Sequence, residues 1–266
     1  MLASLSMYDL AEVRAATDAW WRGLASALRR AGVESVPEVL TRGADGEVWQ
    51  SPALLLAQTC GYPLTHALAG VVELVATPVY AAPGCRGAEY SSFIVVSEDN
   101  GAATLEELRG AVCTYNGRDS QSGYNALRAA IAPLAGGRAF FSRTFESGGH
   151  PISVALVGAG KADVCAVDCV THALLARYRP SALAGTRVLG ATRSAPGLPY
   201  VTRAGVDAEG LGRLRDGLHA AFADPRLADT REALLLGGMQ VLDREAYQCI
   251  DAMENAARAA GYAELH

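Results

Sequence analysis

The chain has 266 residues, half of them hydrophobic and 19% charged, with a formal net charge of -5. A chain of this size buries a large core as one domain or two lobes, and its composition excludes disorder. The acidic balance and the lack of a Lys/Arg-rich run exclude nucleic acid as the partner, and no apolar stretch is long enough to span a membrane.

Met1 to Met7 is apolar but too short for a secretion signal, and no basic residue precedes it. The expectation is a cytoplasmic protein, or a sequence that begins after a removed leader. Leu2 to Met7 reads as a short strand. Tyr8-Asp9 leads into a helix from Leu10 to Ala31, closed by Gly32, with Trp20, Leu24, Ala27 and Leu28 near one face. Val36 to Leu40 reads as a second strand, and Thr41 to Gln50 as a loop. Leu54-Leu55-Leu56-Ala57 is a buried strand running into Gln58-Thr59-Cys60-Gly61-Tyr62-Pro63. The carboxyl end of a parallel strand commonly runs into such a polar loop bearing Gly and Pro. Val71 to Pro78 and Ser92 to Ser97 are further strands, and Thr104 to Leu108 is a short helix.

Ala111 to Tyr115 is the next apolar run, succeeded by an Asn116-Gly117 turn and then Asp119-Ser120-Gln121-Ser122-Gly123. This cluster opens a helix over Tyr124 to Leu134. Outward N–H groups, the helix dipole and serine hydroxyls together suit an anion. Ser and Asp are also ordinary N-caps, so a plain cap stands beside that reading. Ala139 to Phe145 is a strand, broken by Glu146-Ser147-Gly148-Gly149-His150-Pro151, and Ile152 to Val157 is a helix. Ala162 to Val167 is a compact strand ending at Asp168, with a helix from Thr171 to Tyr178. Arg187 to Thr192 is a strand, a rigid loop covers 194–200, and Val201-Thr202 is extended. The remaining helices are Asp207 to Phe222, Arg226 to Leu236 and Asp243 to Ala260.

Strands alternating with helices give an α/β architecture. The Pro/Gly-containing stretches at 81–90 and 193–199 mark two lobe boundaries. Residues 1–85 and 193–266 then form one lobe, residues 88–190 an inserted second, and the chain crosses twice. Enzyme signatures are absent: no GxSxG elbow, no HExxH, no CxxC and no GxGxxG after a strand. Gly160-Lys161 lacks the rest of a phosphate loop, so Lys161 reads as a solvated turn residue. The five histidines lack metal-ligand spacing, and the six scattered cysteines read mostly as small buried residues. Neither a metal nor a cofactor is expected. A triad of Ser122, His150 and Asp168 can be written on paper, but any chain of this length offers such triples.

Polar clusters recur at the carboxyl ends of separate strands: Gln58 to Tyr62, Asn116 to Gly123, Glu146 to His150, and Asp168. In open α/β sheets that edge binds ligands. His150 would donate to an anion, or be satisfied by its neighbours at a helix start. Asp168 beside an anion would select a ligand carrying a proton or an amine, or would simply cap the helix from Thr171. Tyr8, Tyr62 and Tyr90 fall in loops, where they suit a small polar ligand or ordinary packing.

Taken in order, Gln58 to Pro63, Asp119 to Gly123, Gly149-His150, Gly160 to Val164 and Ala166-Val167-Asp168 resemble the phosphate/phosphite/phosphonate solute-binding proteins of ABC transporters. The resemblance spans roughly Leu2 to Tyr200. It implies a two-lobed type II periplasmic-binding fold, each lobe a mostly parallel sheet flanked by helices, with two hinge crossovers. It also implies a small oxyanion (phosphonate, phosphite or phosphate) captured between lobes by hinge closure, with no catalysis. Ser120, Gln121 and Ser122 match the family's oxyanion cradle, with Gly123 beside them in the expected set, His150 its histidine, Asp168 its acidic residue and Tyr90 its tyrosine. Tyr8, Gln58, Thr59 and Tyr62 complete the expected set. The implied partner is an ABC permease, the implied location periplasmic, and the expected state a monomer. Gln121 interrupts the hydroxyl run usual in the family. The alternative is a cytoplasmic enzyme or ligand sensor on the same scaffold.

Overall fold

The computed structural model describes residues 1–43 and 45–266. They divide into two compact units, Met1–Ala81 with Pro196–Ala246, and Ala82–Ala195 with Tyr247–His266.

The first unit receives β1 (Leu2–Ser4), α1 (Arg14–Arg30), α2 (Asp45–Gln50), β2 (Leu54–Gln58), α3 (Gly61–Thr65) and β3 (Val72–Tyr80). The chain then builds the second unit from β4 (Cys85–Arg86), β5 (Glu89–Tyr90), β6 (Ser92–Ser97), β7 (Val112–Tyr115) and α4 (Ala126–Ala135). That unit continues with β8 (Arg143–Glu146), α5 (His150–Gly158), β9 (Val164–Asp168), α6 (Cys169–Tyr178) and β10 (Thr186–Ala191). β11 (Ala195–Pro196) marks the return. β12 (Tyr200–Arg203), α7 (Ala208–Ala223), α8 (Ala228–Ala233) and β13 (Leu236–Gln240) finish the first unit, and α9 (Gln248–Ala259) belongs to the second.

The sheet of the first unit has the order β1-β2-β12-β3-β13, and that of the second β10-β6-β9-β7-β8. β2 is buried along its whole length, which is why it reads as an unbroken apolar run. Helix α1 buries Trp20, Leu24, Ala27 and Leu28, its predicted face, and Trp21 beside them. Both sheets are mixed, in contrast to the mostly parallel sheets expected. β1 and β2 are parallel, as are β7 with both β8 and β9, but β12 opposes β2 and β3, and β6 opposes β9 and β10. A buried apolar run looks the same in either direction, so strand sense is invisible to periodicity.

Other differences have local causes. Val36 to Leu40 forms no strand. Pro37 has no N–H to give, and the carbonyls of Val36 and Pro37 accept from Arg29 and from Trp21 Nε1 instead. Within the expected loop 41–50, residues Asp45–Gln50 are helical, while Ala44 lies outside the described residues. β13 begins at Leu236, the last residue of the expected helix, and is not expected from the sequence, since Gly237-Gly238 carries no strand signal and its pairing with β3 is a tertiary event. The segment 247–266, expected in the first lobe, joins the second unit. Ile250, Met253 and Ala257 of α9 are buried there, while Asn125 and Arg128 bond the Ile250 and Ala263 carbonyls. The chain therefore passes between units a third time. Among the described residues, no helix is long and apolar enough to cross a membrane.

Candidate functional site

In the second unit, β8, β7 and β9 lie side by side and parallel, with Tyr115 opposite Glu146 and Thr114 opposite Cys165. Their carboxyl ends share one edge. That places Asn116 to Gly123, Glu146 to His150 and Asp168 together, as ligand-binding edges of α/β sheets require. Backbone bonds bind two of these loops directly, Ser147 N–H to the Tyr115 carbonyl at 2.8 Å and Gly148 N–H to the Asn116 carbonyl at 3.1 Å.

Ser120 caps the helical turn 121–125, its Oγ accepting from the Gly123 N–H at 3.0 Å. This turn is a π-turn, with Asn125 N–H reaching back five residues to the Ser120 carbonyl. Such wide turns are rare and recur at functional sites. Its outcome here is a short polar chain. Ser120 Oγ lies 3.4 Å from Ser122 Oγ, which lies 2.9 Å from His150 Nε2. Ser120 and Ser122 are both buried, so these bonds are shielded from competing water.

Gly123 is required by close approach. A Cβ there would stand 1.8 Å from Asn116 Oδ1 and 3.1 Å from His150 Cε1. Asn116 Oδ1 is itself buried without a hydrogen-bond partner among the described residues. The sequence places Asn116 in the same polar cluster as the serines, but nothing there marks its side chain as the one that lies against Gly123.

Burial pushes the His150 imidazole down to about 4, opposed in part by the Ala166 backbone. The ring is therefore uncharged at neutral pH. As pH falls below about 6.5 the unfolded chain takes up this proton first, and the folded one does so only near 4. Stability that is fully present above about 6.5 is lost through that window, and His150 accounts for about 3 kcal/mol of it. Urea melts at pH 7 and 4.5 check this, and His150→Gln should flatten the difference. An unchanged pH dependence in that variant refutes the assignment.

Asp168 is the N-cap of α6, with Oδ1 accepting from Val170 N–H at 2.7 Å and Thr171 N–H at 3.0 Å. The triad is not assembled. Ser122 and His150 do pair, but His150 Nδ1 has no hydrogen-bond partner among the described residues, so no carboxylate orients the ring. The side chain of Gln121 is engaged within the fold. Its amide turns toward α9, with Nε2 donating to Met253 Sδ at 3.3 Å and Oε1 accepting from Asn125 Nδ2 at 2.7 Å. Packing against α9 made that choice, which the local sequence could not show. Tyr90 is buried in β5, and is not in a loop.

In the first unit, the parallel pair β1 and β2 end on one edge, which places Tyr8 near Gln58. Tyr80 gathers both. Its ring meets Tyr8 edge-on at 5.0 Å, and its hydroxyl accepts from Gln58 Nε2 at 3.0 Å. Gln58 Nε2 also donates to the Leu198 carbonyl at 2.9 Å, so both amide hydrogens are engaged within the first unit. Tyr8, Gln58, Tyr80, Trp20 and Tyr200 line a small pocket of about 30 Å³. Thr59 is fully buried, its N–H bonded to the Pro199 carbonyl. Tyr62 lies in α3, not in a loop, and stacks on His66 at 3.9 Å. Among the described residues, no His, Cys, Asp or Glu group could hold a metal ion.

Residues 52–247 match the family model described as ABC transporter, phosphonate, periplasmic substrate-binding protein. No curated protein matches the chain. Among solved structures, the binding-protein component of an ABC phosphonate transporter from Pseudomonas aeruginosa superimposes with a TM-score of 0.76 at 17% identity, covering 97% of this chain and 87% of that one. PhnD1 from Prochlorococcus marinus in complex with methylphosphonate gives 0.75 at 13% identity, covering 97% and 98%. XAC2383 from Xanthomonas citri bound to chloride gives 0.72 at 16% identity, covering 98% of each chain. The fold is the two-lobed type II periplasmic-binding fold.

Proposed function

The chain belongs to the family of periplasmic substrate-binding proteins of ABC phosphonate transporters, and we propose that it captures a small phosphonate through the phosphoryl oxygens at the Ser120–Ser122–His150 edge. The observation that carries this reading is the hydrogen-bonded chain from Ser120 through Ser122 to His150 Nε2 at a helix start. First-turn N–H groups have no carbonyl in their own helix to bond, and with the dipole they favour an anion. An uncharged imidazole sets the direction of the Ser122 hydroxyl. An oxyanion then favours the tautomer that leaves the serine proton pointing at the ligand. PhnD1, which shares the fold, was solved with methylphosphonate.

The test is a thermal-shift series with methylphosphonate, aminoethylphosphonate, phosphite, phosphate and sulfate. A ligand at a hundred times its dissociation constant stabilises by about 2.7 kcal/mol, so a phosphonate shift is readily seen. The expected result is stabilisation by phosphonates with sulfate inert. No shift with any phosphorus oxyanion sinks the reading.

One observation favours a second reading, an enzyme on this scaffold. Ser122 Oγ at 2.9 Å from His150 Nε2 is also the spacing of a nucleophile and its base. Against it, burial leaves that imidazole a weak base. Recovering the phosphonate unaltered after long incubation supports capture, and recovering it chemically changed overturns it.

A further inference from the structure

We propose that Cys85 and Cys169 form a redox-active pair, closed by thiol–disulfide exchange with a small disulfide such as oxidised glutathione. Their Sγ atoms lie 3.5 Å apart within the second unit, although 84 residues separate them in sequence. Closing that gap to a bonding distance takes a small side-chain rotation, because the two chain segments are already in contact. Gly84 shows this. It has φ +92°, and a Cβ there would meet Cys169 Cβ at 2.8 Å and Cys169 Sγ at 3.2 Å. The loop is fixed in place by Ser91, whose N–H and Oγ both donate to the Gly84 carbonyl at 3.1 Å. Cys169 N–H in turn donates to the Ser91 carbonyl.

The two thiols are unequal, which assigns their roles. Cys85 is part-exposed, while Cys169 is wholly buried at the start of α6. The hydrogen bond from Cys169 lowers the Cys85 thiol below its usual value. The same bond, with burial and the nearby Asp168 charge, raises Cys169. Cys85 is therefore the attacking thiolate, since the more ionised and more accessible sulfur reacts first. It loses its proton, attacks one sulfur of the small disulfide and releases one thiol, leaving a mixed disulfide on Cys85. Cys169 then gives up its proton, attacks the Cys85 sulfur and expels the second thiol. Two cysteine thiols are oxidised and one external disulfide is reduced, so atoms and electrons balance.

A closed bridge would tie the β4–β5 hairpin, which carries Tyr90 in β5, to the residue after Asp168. The bridge itself does not depend on which ligand the protein binds.

Incubating the full chain with oxidised glutathione, then alkylating free thiols and mapping the peptides, tests the proposal. The expected product has lost two of its six thiols, with residues 85 and 169 joined and no glutathione retained, and dithiothreitol restores both. Thermal unfolding should rise on oxidation and return on reduction, because the bridge restrains a long loop of the unfolded chain. Cys169→Ser should trap glutathione on Cys85. Recovery of both residues alkylated from the oxidised wild type overturns the proposal, as does a stable glutathione adduct on Cys85 beside a free Cys169.

Discussion

Ser122→Ala is expected to weaken phosphonate binding about 10- to 100-fold, with the unliganded protein folded but less stable because His150 Nε2 loses its partner. The hydroxyl sits between Ser120 Oγ and His150 Nε2, and it is the link through which the imidazole acts on a bound anion. A hydrogen bond to a charged group contributes about 1.5–3 kcal/mol, and each 1.4 kcal/mol is tenfold in affinity. Removing this hydroxyl also leaves His150 Nε2 without its partner, so His150→Ala should weaken binding through the same link. Ser122→Thr keeps the hydroxyl and should retain most of the affinity. Titration calorimetry with methylphosphonate reads all three. Wild-type affinity in both alanine variants would place the ligand elsewhere.

Arg128→Ala is expected to have the largest effect on stability, a loss of about 3–5 kcal/mol. Arg128 is almost wholly buried, within 3.4 Å of the carboxylate of buried Glu254. Its guanidinium also donates to Asn125 Oδ1 at 2.6 Å and to the Ala263 carbonyl at 2.7 Å. One side chain thus joins α4, α9 and the final residues. Truncating it leaves an acceptor on each and a cavity among them, while Glu254 keeps its pair with the more exposed Arg258 at 2.8 Å. For a chain of this size each kcal/mol moves the melting point by roughly 2–4 °C. A fall on the order of 10 °C is therefore expected from that range. Because Asn125 also accepts from this network and donates to Gln121 Oε1, the serine turn should loosen with it. A melting point within a degree or two of wild type would show that α9 is held by its apolar face alone.

Much of the candidate site is legible because its local chemistry is written contiguously. Ser120, Ser122 and Gly123 fall within four residues at a helix start, and His150 opens a helix after a Gly-Gly pair, so type and spacing announce them. Which of them meet is not legible. Ser122 and His150 are 28 residues apart, and only the parallel pairing of β7 with β8 brings their loops together. Gln58 and Gln121 illustrate the opposite limit. Both stand in polar clusters and both amides turn inward, to Tyr80 and Leu198 in one case and to Asn125 and Met253 in the other. A polar side chain at a site edge carries no sign of which way it will face. The close approach of the Asn116 side chain to Gly123 is hidden for the same reason, since it is set by the fold of the turn.

The sequence by itself determined the α/β class, the buried strands and amphipathic helices, and the polar loops that end them. These arise from periodicity and turn chemistry over windows of a few residues, where local forces suffice. Only the tertiary structure decided strand sense, the antiparallel placement of β6 and β12, the pairing of β13 with β3, and the home of α9 in the second unit. It alone decided that His150 turns to Ser122 and that Cys85 meets Cys169. Each of these outcomes depends on groups tens of residues away competing for the same donors and the same buried space. That competition is settled when the chain packs, and no short stretch of sequence contains it.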